Sequence, residues 1–241
     1  MAELDTNKRS VPKKKNATRK RKKAKAAMRN IWFAIKWTLV IVLAAQFILA
    51  MTNTTAGYIV RAVPFLLYDG VSSGRVADSL FKEPEAAVIE QFETLPLEMR
   101  AGFYEDNIDI IFNIQPVNSN FSKKVDAFYT TTASGERFIG ITQPKDAVAS
   151  GAIFHEFAHY LDNSAGTKYS ETEEFLNAYT SDKGANALYY MFFGEGNYVE
   201  KDKYSEAFAQ MFECYVTRPA TLKHIAPTVY EYFDNLFQQY E

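Results

Sequence analysis

The run His155-Glu156-Phe157-Ala158-His159 sets two of the chain's three histidines four residues apart, with a carboxylate beside the first. On a helix, residues four apart share a face, so both imidazoles can reach one metal ion. Glu156 then lies next to any water the ion holds, where a general base is needed. Ile153, Phe154, Phe157 and Leu161 form an apolar stripe around the pair. That stripe predicts a helix from about Ala147 to Asp162 with its histidines turned away from the stripe.

Upstream, a helix is expected near Glu83–Glu93, with Pro84 at an allowed early position and Val88, Ile89 and Phe92 on one side. Ile108, Ile110, Phe112 and Ile114 alternate with Asp109, Ile111 and Asn113, the period of a strand. Ala127–Thr132 and Arg137–Thr142 flank Ala133-Ser134-Gly135-Glu136 and read as a hairpin. From Tyr169 onward the pattern is mostly helical. Strands followed by helices give an α+β domain, which spans about 76–241 and is large enough to bury a core.

The chain has 241 residues and a formal charge of −2, which conceals a strong asymmetry. Residues 1–30 carry 12 Lys/Arg against 2 acids, and residues 52–241 carry 14 against 27. The acidic part excludes nucleic acid as its main partner, because phosphate binding needs a basic surface. The single cysteine, Cys214, excludes an internal disulfide framework and a cysteine-based metal site, and is expected to pack as a small hydrophobe.

Between the charge blocks lies Ile31–Met51, IWFAIKWTLVIVLAAQFILAM, with one charge, Lys36, and one amide, Gln46. As a helix it would measure about 31 Å, the hydrocarbon thickness of a bilayer. Lys36 can snorkel to the headgroups on the basic side. Residues 1–30 read as a disordered basic cytoplasmic tail that grips anionic lipid. The positive-inside rule then puts everything beyond Met51 outside the cytoplasm, with residues 52–75 as a linker. A cleaved signal peptide, cut near Ala50 or Ala56, is the alternative. The 30-residue basic lead and the long apolar span favour an uncleaved, single-pass signal anchor. An outward domain without disulfides fits a bacterial cell surface.

Two histidines leave a zinc ion short of a third protein ligand. No histidine follows His159 in Tyr160-Leu161-Asp162-Asn163-Ser164-Ala165, so the ligand must come from elsewhere. The best candidate is Glu206 in Tyr204-Ser205-Glu206-Ala207-Phe208-Ala209-Gln210-Met211-Phe212. There Phe208, Met211, Phe212 and Tyr215 form a core stripe, while Glu206, Gln210 and Glu213 share another face. Asp202, Glu200 and Glu195 compete for the same role. Asp162, seven after His155, either orients a ligand imidazole or is a polar helix-end residue. His224 has no motif around it and reads as a solvated surface histidine. The run Tyr189-Tyr190-Met191-Phe192-Phe193 reads as core.

HEFAHYLD followed by SEAFAQMFECYV resembles the glutamate-zincins of the anthrax lethal factor and Pro-Pro endopeptidase type, with HExxH and then E-x-F-A-E-x-F roughly fifty residues later. His155 and Glu206 are 51 positions apart, and Phe208, Ala209 and Phe212 fall in step. Gln210 stands where that family usually has a second glutamate. The resemblance implies a zincin-like metallopeptidase fold, with a small sheet whose edge strand holds an extended peptide; Arg137–Thr142 is the strand expected there. It also implies Zn2+ held by His155, His159 and Glu206, with Glu156 as general base. A tyrosine is implied as donor to the developing oxyanion; position 199 is valine, so Tyr198 takes the role, with Tyr204 as fallback. The expected function is a membrane-anchored zinc endopeptidase acting on extracytoplasmic proteins or peptides. A catalytically inactive zincin serving as a surface binding module, and a secreted toxin-like protease, are the alternatives.

Overall fold

A computed structural model describes residues 35–36, 38–39, 41–46, 49–50, 52, 54–72, 83–116, 125–164, 166, 168–193 and 203–241. The chain divides into two compact units, Met1–Leu49 and Ala50–Glu241. In the first, the described residues are helical and solvent-facing, Ile35, Leu39, Ile41 and Leu43 among them. The expected span Ile31–Met51 lies partly outside the described residues, and the basic tail wholly so. Among the described residues, no helix is long and apolar enough to cross a membrane.

The second unit opens with α1 (Thr55–Ser72), then α2 (Pro84–Glu93) and α3 (Leu97–Glu105). A three-stranded sheet follows, β1 (Asp109–Phe112), β2 (Ala127–Thr131) and β3 (Arg137–Ile141). Helices α4 (Pro144–Ser150) and α5 (Ala152–Ser164) come next. A 3-10 turn at Tyr169–Glu171 leads into α6 (Glu173–Ser181), α7 (Lys183–Phe193), α8 (Lys203–Thr217), α9 (Pro219–Ile225) and α10 (Pro227–Gln238). This is the expected order: strands early, helices from Tyr169 on, and a hairpin closing through Gly135 at φ 90°. The expected strand around Ile108–Ile114 is shorter, at Asp109–Phe112.

Three further expectations differ from the structure. The helix expected over Ala147–Asp162 is two helices. Gly151 ends α4 in the left-handed conformation, φ 81°, and its N–H bonds the Ala147 carbonyl at 2.9 Å. A Cβ there would sit 2.7 Å from Thr217 Cγ2, so glycine serves both the turn and the close approach of α8.

The segment expected as a linker, 52–75, instead contains α1, which packs on α7 and α9. Ala62 is buried in the core, and Asp69 accepts hydrogen bonds from Ala220 N–H (3.2 Å) and Thr221 N–H (2.8 Å) at the start of α9. A helix start leaves N–H groups unpaired, and Asp69 supplies the missing acceptor from 151 residues upstream.

Finally, Arg137–Ile141 is the central strand, not the edge. The order is β1-β3-β2, with β3 parallel to β1 and antiparallel to β2. Ile139 and Ile141 are fully buried, as suits a strand paired on both sides. The edge facing α5 is β2. Thr142 N–H bonds Asp126 O and Thr132 N–H bonds Glu136 O. By antiparallel alternation, Phe128 and Thr130 then bond β3, while the backbone groups of Ala127, Tyr129 and Thr131 point to the open edge.

Two aromatic clusters hold α5 and α8 together. Phe157 of α5 meets Phe92 (5.3 Å between centroids) and Phe103 (5.9 Å) on one side, and Phe212 of α8 (6.1 Å) on the other. Phe208 of α8 packs against Phe175 (5.3 Å) and Phe233 (5.4 Å). Such pairs add about 0.5–1.5 kcal/mol each beyond their buried area. Phe208→Ala is therefore expected to destabilise the domain by about 3–5 kcal/mol in urea unfolding; a loss below about 1 kcal/mol would show that this cluster does not hold α8.

Candidate metal centre

Helix α5 carries His155 and His159 on one face, their rings 4.9 Å apart and nearly perpendicular. Ile153, Phe154, Phe157 and Leu161, the predicted stripe, are all buried beneath that face. Helix α8 crosses against α5 with Glu206 in its first turn. Glu206 Oε2 lies 3.4 Å from His155 Nε2, and Glu206 Oε1 lies 3.6 Å from His159 Nε2. One ligand atom from each of the three residues falls within 4.8 Å of the others.

The three groups could hold one metal ion: each imidazole faces a different oxygen of Glu206, at 3.4 and 3.6 Å, and one ligand atom from each residue lies within 4.8 Å of the others. The donor set of two imidazoles and one carboxylate also suits zinc, with the fourth position left open.

The electrostatics agree with a site built to receive a cation. Burial pulls the His155 pKa down, but the hydrogen bond to Glu206 and the charges of Glu156, Glu206 and Glu213 outweigh it and raise it to about 9. Burial pushes the Glu206 carboxyl up, yet its hydrogen bonds to His155 and His159 hold it well below the usual carboxylate range. A proton on His155 thus occupies the place of a positive charge.

Glu156, buried beside His155, accepts a 2.7 Å hydrogen bond from Tyr129 N–H on the open edge of β2. The general-base candidate is therefore fixed to the strand that borders the site.

A second layer orients the imidazoles. Ser205 Oγ stands 3.3 Å from His159 Nδ1 and donates to Asp162 Oδ2 at 3.1 Å. Asp162 also accepts from Ser170 N–H (2.7 Å) and Ser170 Oγ (2.8 Å). At 1 % exposure it is no solvated helix-end residue, and it acts on the imidazole through Ser205. With Ser205 giving its proton to Asp162, its oxygen is free to accept from His159 Nδ1–H, which leaves Nε2 as the ligand atom.

On the other imidazole, His155 Nδ1 lies 3.8 Å from Glu213 Oε2, and Arg218 Nη1 donates to Glu213 Oε1 at 2.6 Å. Gln210, one turn before Glu213, instead points its amide at Cys214 Sγ, 3.8 Å away. Sequence reasoning placed Glu213 on the Glu206 face but gave it no role. Ser205, Arg218 and the Tyr129 amide were missed. Adjacency to Glu206 was a signal for Ser205; nothing in the sequence marks the other two.

Of the remaining candidates, Tyr198, Glu195, Glu200 and Asp202 lie outside the described residues. The Tyr204 ring packs edge-on against Tyr179 at 6.4 Å. His224 is exposed, as expected, and stacks on Phe65 at 4.0 Å. Cys214 is buried, and burial pushes its thiol up to about 12, so it packs as an inert small group. Tyr189 is buried in the core, also as expected.

No family model and no curated protein matches the chain. Among solved structures, a Pro-Pro endopeptidase from Paenibacillus alvei is similar at 18% identity, with a TM-score of 0.44; the match covers 64% of this chain and 90% of that one.

Zinc binds the neutral imidazole, so a His155 that is protonated below about pH 9 must release its proton on binding. Affinity should therefore tighten as pH rises from 7 toward 9, by up to about tenfold per unit, and level off once the ring is neutral. Titration calorimetry at pH 7 in buffers of different ionisation enthalpy should report about one proton released per zinc. Binding with no proton uptake by the buffer would contradict the His155–Glu206 hydrogen bond as the metal-free state.

Proposed function

We propose that this chain is a zinc-dependent endopeptidase, tethered to the membrane by Ile31–Met51 with residues 52–241 outside the cytoplasm. The observation that carries the chemistry is the convergence of His155, His159 and Glu206 at a spacing one metal ion could bridge, beside a glutamate clamped to an open strand edge.

His155, His159 and Glu206 would hold the ion through Nε2, Nε2 and the carboxylate. When bound, zinc lowers the pKa of a water to about 7 and polarises the scissile carbonyl. Glu156 accepts the proton of the attacking water and returns it to the leaving amine. The Tyr129 N–H bond keeps that carboxylate aimed. The substrate backbone pairs with the outward groups of β2 other than the Tyr129 N–H, which Glu156 holds; these add hydrogen bonds without demanding particular side chains. The donor to the developing oxyanion is assigned to Tyr198.

The membrane part of the reading rests on 21 residues with a single charge behind a tail of 12 Lys/Arg and 2 acids. The tail's contact with anionic lipid and the bacterial surface location follow from the same asymmetry.

The roles separate in paired variants of the full chain in detergent. Glu206→Ala should lose zinc to a mild chelator while keeping its helical circular dichroism, since the ligand set falls to two. Glu156→Ala should retain zinc and lose peptide hydrolysis, because the base is not a ligand. Zinc retained in Glu206→Ala, or full turnover in Glu156→Ala, would refute the assignment; a parent that binds zinc but cleaves no member of a broad peptide library would be a binding module.

Proline tests the strand contact. The Tyr129 N–H points away from β3, so Tyr129→Pro removes the bond to Glu156 and no ladder bond. Tyr129→Ala keeps the N–H and serves as control. A hydrogen bond to a charged group contributes about 1.5–3 kcal/mol, so turnover of Tyr129→Pro should fall roughly 10- to 100-fold below Tyr129→Ala. Equal rates in the two variants would show that the amide does not position the base.

A further inference from the structure

Helix α1 presents a charge-free apolar face to the outside. Val63, Leu67 and Tyr68 are 48%, 67% and 64% exposed, and Ala56 and Pro64 are exposed beside them. At 100° per residue, Ala56, Val63 and Leu67 fall within one narrow stripe, with Pro64 and Tyr68 on its flank. Both charges of α1 avoid it: Asp69 is buried against α9, and Arg61 lies over the Tyr58 ring at 4.2 Å. The other large exposed apolar side chains of this unit, Leu97, Tyr104, Ile111 and Tyr204, are spread over α3, β1 and α8. Single exposed apolar residues are ordinary on a protein surface, whereas a contiguous row marks a contact face.

Three facts choose its occupant. First, α1 begins four residues after Met51, so a chain that leaves a bilayer there starts this helix within the headgroup layer. Second, residues 52–241 carry 27 acids, yet none is on this face, where it would be repelled by anionic lipid. Third, α1 cannot be a second span. Its Asp69 carboxylate is tied to the N–H groups of Ala220 and Thr221, and among the described residues no helix is apolar enough to cross.

We infer that α1 is a membrane-surface helix, lying in the headgroup–acyl boundary through Val63, Leu67 and Tyr68 and docking the folded domain on the bilayer. The inference rests on the anchor reading above. An apolar stripe buried to the depth of one side chain is the geometry of interfacial helices, and tyrosine is the residue type enriched at that depth. The inner face of α1 packs on α7 and α9, so the domain is held against the lipid instead of swinging on a tether.

The test is electron paramagnetic resonance depth measurement on the full chain reconstituted in vesicles of phosphatidylcholine and phosphatidylglycerol. Spin labels are placed singly at Ile41→Cys in the span, Val63→Cys and Leu67→Cys on α1, and Leu97→Cys on α3; Cys214 is buried and stays unlabelled. Labels at 63 and 67 should be relaxed more by lipid-dissolved oxygen than by an aqueous nickel chelate, at a depth shallower than 41. The label at 97 should show the aqueous pattern. Adding Pro64→Glu should move the label at 67 toward the aqueous pattern while leaving the label at 41 in lipid.

Lipid exposure at 41 with an aqueous pattern at 63 and 67 would overturn the docking face and leave the anchor standing. An aqueous pattern at 41 would remove the anchor and the inference with it. Shielding of 67 from both relaxants would mean that a protein surface, such as a second copy, covers the face, and would also overturn it.

Discussion

The contact of α5 with α8 is the constraint on which the rest of the molecule depends. It buries His155 and Glu206 where burial alone would strip both of charge. They stay charged because each supplies the other's partner, and they meet only because Phe157 and Phe212 set the two helices side by side. The aromatic clusters on either flank are the scaffold that keeps a costly polar group of residues at fixed spacing. A looser core would let Glu206 retreat to solvent, and the site would lose its shape before the fold lost its stability.

The sheet enters through a single bond. The odd residues of β2 face its open edge, so the Tyr129 amide is free to hold Glu156. The strand with the open edge is thereby the strand that fixes Glu156. Register and chemistry are coupled: a one-residue slip of β2 would turn the amide into the ladder and present the side chain's other face.

Local periodicity made much of this legible. The apolar stripe at Ile153, Phe154, Phe157 and Leu161 gave α5, and the spacing of Glu206, Phe208, Met211 and Phe212 gave α8 with its carboxylate on the correct face. What failed was non-local. Strand order depends on which segments meet, so β3 was misplaced at the edge although its residues were correctly read as a strand. The helix expected over Ala147–Asp162 breaks at Gly151, where a left-handed turn coincides with the close approach of Thr217, 66 positions away. The segment 52–75 is helical, not linker, because packing of α1 on α7 and α9 overrides the breaker residues Pro64 and Gly70.

The two imidazoles are oriented by unlike devices, and the difference bears on the charge at the site. His159 is held through a hydroxyl, Ser205, which adds no charge of its own. His155 faces a carboxylate, Glu213, whose charge is matched at 2.6 Å by Arg218. Were Glu213 unmatched, three carboxylates, Glu156, Glu206 and Glu213, would surround one divalent ion and more than cancel it. With Arg218 in place Glu213 is matched, and the two carboxylates left beside the imidazoles, Glu156 and Glu206, together balance the charge of a divalent ion. Arg218 also donates to Thr217 and to the Ser150 carbonyl at the α4–α5 junction, so the residue that balances the charge also braces the break that starts α5.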